Sequence, residues 1–171
     1  MFKALLNTDN SPAQLFIRVA LGVVIFPHGA QKVFGWFGGP GISQTLQAFA
    51  GMGFPPWSVV VLMAVESLGA LLLVAGFLTR LWAFGIGTAM TICMFMHHVQ
   101  HGFFMNWFGK QQGEGFEFHL LVLGICLALL IRGGGMLSVD RAVARPGKSG
   151  YGRSLLAFIS FGSSPLNGAT D

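Results

Sequence analysis

Several ionisable side chains sit in stretches that are otherwise apolar: Arg18, His28 and Lys32, then Glu66, then His97, His98 and His101, then Glu117 and His119. An ionisable group at membrane depth costs roughly 2.5–3.5 kcal/mol on insertion scales, so such groups turn toward a bundle interior and mark sites. At about 100° per residue, Arg18, His28 and Lys32 fall within an arc of about 80° and share one helix face. His97 and His101 are four apart and are expected to stack, with His98 also neighbouring His101. Glu117 and His119 are two apart and point to nearly opposite sides.

These residue types fit proton-coupled chemistry. Glu66, His28 and His97 are the candidate catalytic groups: a carboxylate and two imidazoles can donate hydrogen bonds and relay protons. Arg18, Lys32, His101, Glu117 and His119 are candidate ligand-binding residues. His97 and His101, with Glu66 or Glu117, also form a workable transition-metal set, with Met63, Met90, Met94 and Met96 as soft donors for copper. Each has a plainer reading. Lys32 and His101 can snorkel to an interface. His98 can be an interfacial or loop residue. Glu117 can cap its helix, where an acid suits the dipole. The methionines can simply pack. A mid-span Glu66 must either pair with a base such as Lys32 or His28, or hold its proton.

The elements that would position these groups are membrane helices. Of the 171 residues, 53% are hydrophobic and only 9% charged, against about 25% charged in a soluble domain. Apolar stretches run over about Ala13–Phe34, Trp57–Leu78, Leu81–Phe104 and Phe116–Ile131. The first three meet the roughly 17–25 residues a span needs, and the last is at the short end. Continuous rather than alternating apolarity selects helices over a barrel. The expected fold is all-α, a four-transmembrane-helix bundle over 13–142. Gly69, Gly76, Gly85 and Gly87 are candidate close-packing points. The net charge of +4 comes without a basic tract, so no nucleic-acid partner is implied.

Charge placement predicts orientation. Lys3, Arg80, Arg132, Arg141, Arg145, Lys148 and Arg153 fall on one side of a four-span chain, so both termini are expected in the cytoplasm. Arg80, Arg132, Arg141 and Arg145 read as topology anchors. His28, Lys32, Glu66, His97, His101, Glu117 and His119 then gather in the outer half, under a glycine-rich outer loop over 35–56. Trp36, Trp57 and Trp107 mark outer boundaries and Trp82 an inner one. Asn10-Ser11-Pro12 reads as a helix start. No cleavage pattern follows the first span, which is expected to be retained as an anchor. Residues 1–12 form a short cytoplasmic segment, and 143–171 read as a flexible cytoplasmic tail, with a short apolar run at Ser154–Phe161.

Cys93 and Cys126 are expected roughly 20 Å and 9 Å from the inner face by helical rise, too far apart in depth for a disulfide. Neither a Walker loop nor a nucleophile elbow occurs.

The string Arg18…Phe26-Pro27-His28-Gly29-Ala30-Gln31-Lys32-Val33-Phe34-Gly35-Trp36-Phe37-Gly38-Gly39-Pro40-Gly41 resembles the opening signature of the DoxX family. Glu66-Ser67-Leu68-Gly69-Ala70 with Gly76-Phe77-Leu78-Thr79-Arg80, then Gly115-Phe116-Glu117-Phe118-His119-Leu120-Leu121, then Gly133 to Arg141 are similar to its later motifs. The resemblance implies four helices in the cytoplasmic membrane. It carries the family pattern onto Arg18, His28, Lys32, Glu66, Arg80, Glu117, His119 and Asp140. It also implies links to thiosulfate:quinone oxidoreductase, to redox assemblies with sulfurtransferase or superoxide-detoxifying partners, and to quinone and thiol stress. The expected function is a membrane subunit of a redox system. It would take a quinone rather than a covalently bound cofactor, with Phe26, Phe95 and Phe103 as ring walls. The bilayer, a redox partner protein and a second copy of the chain are the expected partners. The competing class is a non-catalytic scaffold or small-molecule transporter. Metal handling at His97 and His101 is a third.

Overall fold

A computed structural model describes residues 5–144, and these form helices with no strand among the described residues. The expected tail beyond 144 lies outside the described residues. In chain order the helices are α1 (Pro12–Phe34), α2 (Gly41–Gly51), α3 (Pro56–Ala75) and α4 (Thr79–His101), α5 (Glu117–Arg132) and α6 (Val139–Ala144). α1, α3 and α4 are long and apolar enough to cross a membrane, with 23, 20 and 23 residues. α5 has 16 residues, about 24 Å at helical rise, which falls short of a hydrocarbon layer of about 30 Å. It packs along α4 and touches α1.

α1 begins where Ser11 Oγ accepts the Ala13 N–H at 3.2 Å, with Pro12 in the first turn. It ends on Gly35 in the left-handed region, the usual residue for that cap. A buried stripe of Arg18, Leu21, Ile25 and Gly29 runs down its inner face. Leu21 and Ile25 meet Leu73 of α3, Ile86 of α4 and Leu129 of α5 in the core. The opposite faces leave Phe16, Val23, Leu71, Phe84 and Leu121 exposed, as a lipid-facing surface requires. In lipid, apolar burial does not drive helices together, so close packing of small residues must. A Cβ on Gly29 would fall 2.4 Å from the Glu66 carbonyl carbon and the Ser67 nitrogen. One on Gly22 would fall 2.4 Å from a Val74 methyl. These two glycines, seven apart, bring α1 against the backbone of α3.

Three features depart from the expected helices. The segment 35–56 is not only loop: α2 occupies its centre, docked by Thr45, whose hydroxyl donates to the Lys32 carbonyl at 3.3 Å. Its glycine-rich entry masks the helix-compatible run Ser43–Ala50. α3 and α4 are not uniform either. Each contains a π turn, Val65–Gly69 in α3 and Met94–His98 in α4. α4 closes through a tight 3-10 turn at His101. The Trp82 ring packs against Gly69, where a Cβ would come within 2.6 Å of it. Trp36, Trp57 and Trp107 are exposed.

The end of the bundle opposite Glu66 is tied by two buried charges. Asp140 accepts the backbone N–H groups of Leu78 at 2.6 Å and Thr79 at 2.9 Å. It thereby caps the start of α4 from a distant helix, in place of a local cap. The Arg18 guanidinium donates to carbonyls of Leu73 and Val74 at the end of α3, and of Met136 and Leu137 before α6. Gly76, at φ +70°, leaves room for both: a Cβ there would meet Ser138 Cβ at 2.5 Å and Arg18 Nη1 at 2.8 Å. Arg80 Nη2 donates to Ile131 O at 3.0 Å, and Arg132 pairs with Asp9 at 3.2 Å.

Losing a helix cap costs about 1 kcal/mol, and a buried unsatisfied N–H about 1–3 kcal/mol. Asp140→Ala is therefore expected to lower stability by about 2 kcal/mol or more, read as a drop in thermal midpoint of the detergent-solubilised protein. Asp140→Asn, which keeps one acceptor oxygen, is expected to lose less.

Candidate functional site

A cavity of about 160 Å³ opens between α1, α2, α3 and α4. Lys32 and Glu66 stand on one wall, Cys93, Met96 and His97 on another, and the rings of Phe49 and Phe54 close a third. Lys32 Nζ lies 2.5 Å from Glu66 Oε2, with side-chain exposures of 21% and 5%. Lys32 Nζ also reaches the His28 carbonyl at 3.4 Å. This pair answers the question Glu66 poses in the sequence: its base is Lys32.

Local structure explains the pairing. Gly29 lets α1 touch the chain at Glu66, and Lys32 lies three residues, nearly one turn, further along the same face. The π turn Val65–Gly69 widens α3 at that point. The Ser67 hydroxyl donates to the Met63 carbonyl at 2.5 Å there, a local side-chain bond of the kind that accompanies helix distortions. π turns are rare and concentrate at functional sites.

The other expected site residues are distributed unevenly. His97 lines the cavity, though its ring is largely exposed. His28 is exposed. The expected arc was centred too broadly: the buried stripe runs through Gly29, and His28, one residue and about 100° away, turns off it. Arg18 sits on the same stripe but 14 residues from Lys32, about 21 Å along the helix, and binds backbone carbonyls instead of facing the cavity. His101 turns toward the following loop, 3.3 Å from Gln100 Nε2 and against Gly113. His97 lies in a π turn and His101 in the 3-10 turn that follows, so the regular helical spacing behind their expected stacking does not hold here.

Glu117 holds the loop before α5. Its Oε1 accepts the Met105 N–H at 3.0 Å and the Trp107 indole N–H at 3.2 Å. His119, on the other side of α5, is buried, and its ring centroid lies 4.2 Å from that of His98. Donor atoms of Cys93, His98 and His119 all lie within 4.8 Å of one another. The sequence offers Cys93 no partner and reads His98 as an interfacial or loop residue, so this grouping comes from the fold alone. Cys93 and Cys126 form no disulfide. Phe95 and Phe103, the expected ring walls, are exposed. Phe49 and Phe54 take that place because α2 folds over the cavity. Arg141 offers its backbone N–H to Ser138 Oγ at 3.2 Å, at the start of α6.

Removing one partner of a buried ion pair costs about 3 kcal/mol or more, whereas replacing both with apolar groups can be neutral. Lys32→Met is expected to lower the thermal midpoint more than the double variant Lys32→Met/Glu66→Leu does. A double-mutant cycle on the detergent-solubilised protein measures this. Equal destabilisation that simply adds would show the pair to be uncoupled.

Residues 13–99 match the family model described as DoxX. The chain is also 28% identical over 145 residues to a Bacillus subtilis (strain 168) protein named "Putative oxidoreductase CatD". That alignment covers 85% of this chain and 97% of the relative. No solved structure matches. The matched region carries α1 to α3 and all but the end of α4, including Lys32, Glu66 and His97 of the cavity. The chain belongs to the DoxX family and is a multi-pass membrane protein.

Proposed function

We propose that the chain is a quinone-linked membrane redox subunit whose site is the Lys32–Glu66 cavity. The observation that carries this reading is a buried ion pair on the wall of a ring-sized space faced by two phenyl groups. A cavity of about 150 Å³ is known to take a single benzene ring, so 160 Å³ suits the head of a single-ring quinone. The oxidoreductase name of the Bacillus relative points the same way.

Quinone reduction consumes two electrons and two protons. Two thiols oxidised to a disulfide release both, and two thiosulfates joined as tetrathionate release the two electrons. The donor binds elsewhere or comes on a partner protein. Within the cavity the Lys32 ammonium donates to a quinone oxygen and stabilises the negative charge that builds there. Glu66 and His97 relay to the reduced oxygens two protons that come from the thiols or, when thiosulfate is the donor, from water. The ion pair that stabilises the empty site thus becomes a donor and a proton carrier when the ring enters.

The same reading places the protein in the cytoplasmic membrane with four spans, α5 being the fourth, and both termini in the cytoplasm. The cavity then opens in the outer half of the bilayer. The placement of Arg80, Arg132 and Arg141 supports that orientation. A second copy and a donor protein are the expected partners in the bilayer.

The test is quinone reduction by purified protein supplied with thiosulfate or a thiol, together with analysis of quinone retained through purification. General acid–base groups contribute about 10²–10⁴-fold, so Glu66→Gln is expected to lower the rate by about 100-fold or more. Equal rates for wild type and Glu66→Gln, with no quinone retained, would reject the reading.

A further inference from the structure

We infer that Cys93, His98 and His119 form a binding site for a thiophilic metal ion, copper(I) or zinc(II). Their donor atoms, one thiol sulfur and one ring nitrogen from each histidine, lie within 4.8 Å of one another. A tetrahedral ion bound at the usual Zn–N and Zn–S lengths holds such donors about 3.4–3.6 Å apart. Closing around an ion therefore takes side-chain shifts of about 1 Å. The site is distinct from the Lys32–Glu66 pair, and the inference does not rest on the quinone reading.

Three observations point to a ligand. First, His119 is 4% exposed, and its Nδ1 is buried with no hydrogen-bond partner. A buried imidazole nitrogen without a partner bears its full desolvation cost, which metal coordination through Nδ1 removes. Second, His98 Nδ1 lies 2.9 Å from the Glu114 carbonyl oxygen. A carbonyl only accepts, so the proton sits on Nδ1 and Nε2 carries a free lone pair. A metal-bound histidine characteristically gives its other ring N–H to a carbonyl or carboxylate in this way. Third, Cys93 and His98 are five residues apart with the π turn Met94–His98 between them. Residues five apart diverge by about 140° on an α-helix. A π turn closes its bonds from i to i+5, which stacks them on one side.

One thiolate and two imidazoles are a soft-to-borderline donor set. It favours copper and zinc over magnesium or calcium, which take oxygen ligands. Three protein donors leave a fourth position of a tetrahedral ion open. Cys93 also lines the cavity, so one ligand of the proposed site borders the ring site.

The test loads the detergent-purified full chain with copper(I) or with zinc(II), removes excess ion by gel filtration, and counts bound metal by elemental analysis. One ion per chain is expected. Copper retained in competition with zinc assigns copper, and the converse assigns zinc; either supports the site. Cys93→Ser and His119→Gln are each expected to weaken binding at least tenfold, whereas His101→Gln retains the ion. On wild type, where no variant can misfold, cobalt(II) is expected to give a thiolate charge-transfer band, and bound metal to slow maleimide labelling of the Cys93 peptide. The proposal is overturned if neither ion is retained. It is also overturned if Cys93→Ser and His119→Gln bind as wild type does, or if cobalt binds without a thiolate band.

Discussion

A carboxylate in an apolar bundle must be neutralised, and the rest of this molecule is arranged around that need. Glu66 lies at 4% exposure, and its partner Lys32 comes from another helix. The two can meet only because α1 and α3 touch backbone to backbone at Gly29. A side chain at Gly29 would separate the helices and stretch the pair, and the wall of the cavity would go with it. The glycine, the π turn and the ion pair are therefore one unit, and none of them does its work without the others.

The opposite end solves a different problem with the same means. Helix ends inside a membrane protein leave carbonyls and N–H groups that water does not reach. Arg18 and Asp140 supply what is missing, one to the end of α3 and the other to the start of α4. Both groups are charged, both are buried, and each bonds to backbone. Two of the bundle's groups of ionisable residues thus have separate tasks. One end fixes the connections between helices, and the other holds a charge pair beside an open space.

Much of this could be read from residue types. Long apolar stretches gave the helices, and the cost of a buried charge singled out Glu66 and named Lys32 among its partners. Arg18 was legible as a buried charge but not as a clamp, because its partners are carbonyls, which every residue has. α2 was hidden by the glycines that introduce it. The larger miss came from assuming 3.6 residues per turn throughout. That spacing pairs His97 with His101, and a single widened turn pairs Cys93 with His98 instead. No local composition marks a π turn, since it arises where tertiary contacts pull a helix out of register.

α2 has one consequence of its own. It contributes two phenyl walls with Phe54 just beyond its end, yet Thr45 is its only buried residue. An element with so few buried side chains is expected to open at a lower free energy than the core it covers. α1 and α3, locked at Gly29, cannot part without breaking the ion pair. On the proposed reading, a ring would enter past this cover and not between α1 and α3, and the cover is a helix of only eleven residues.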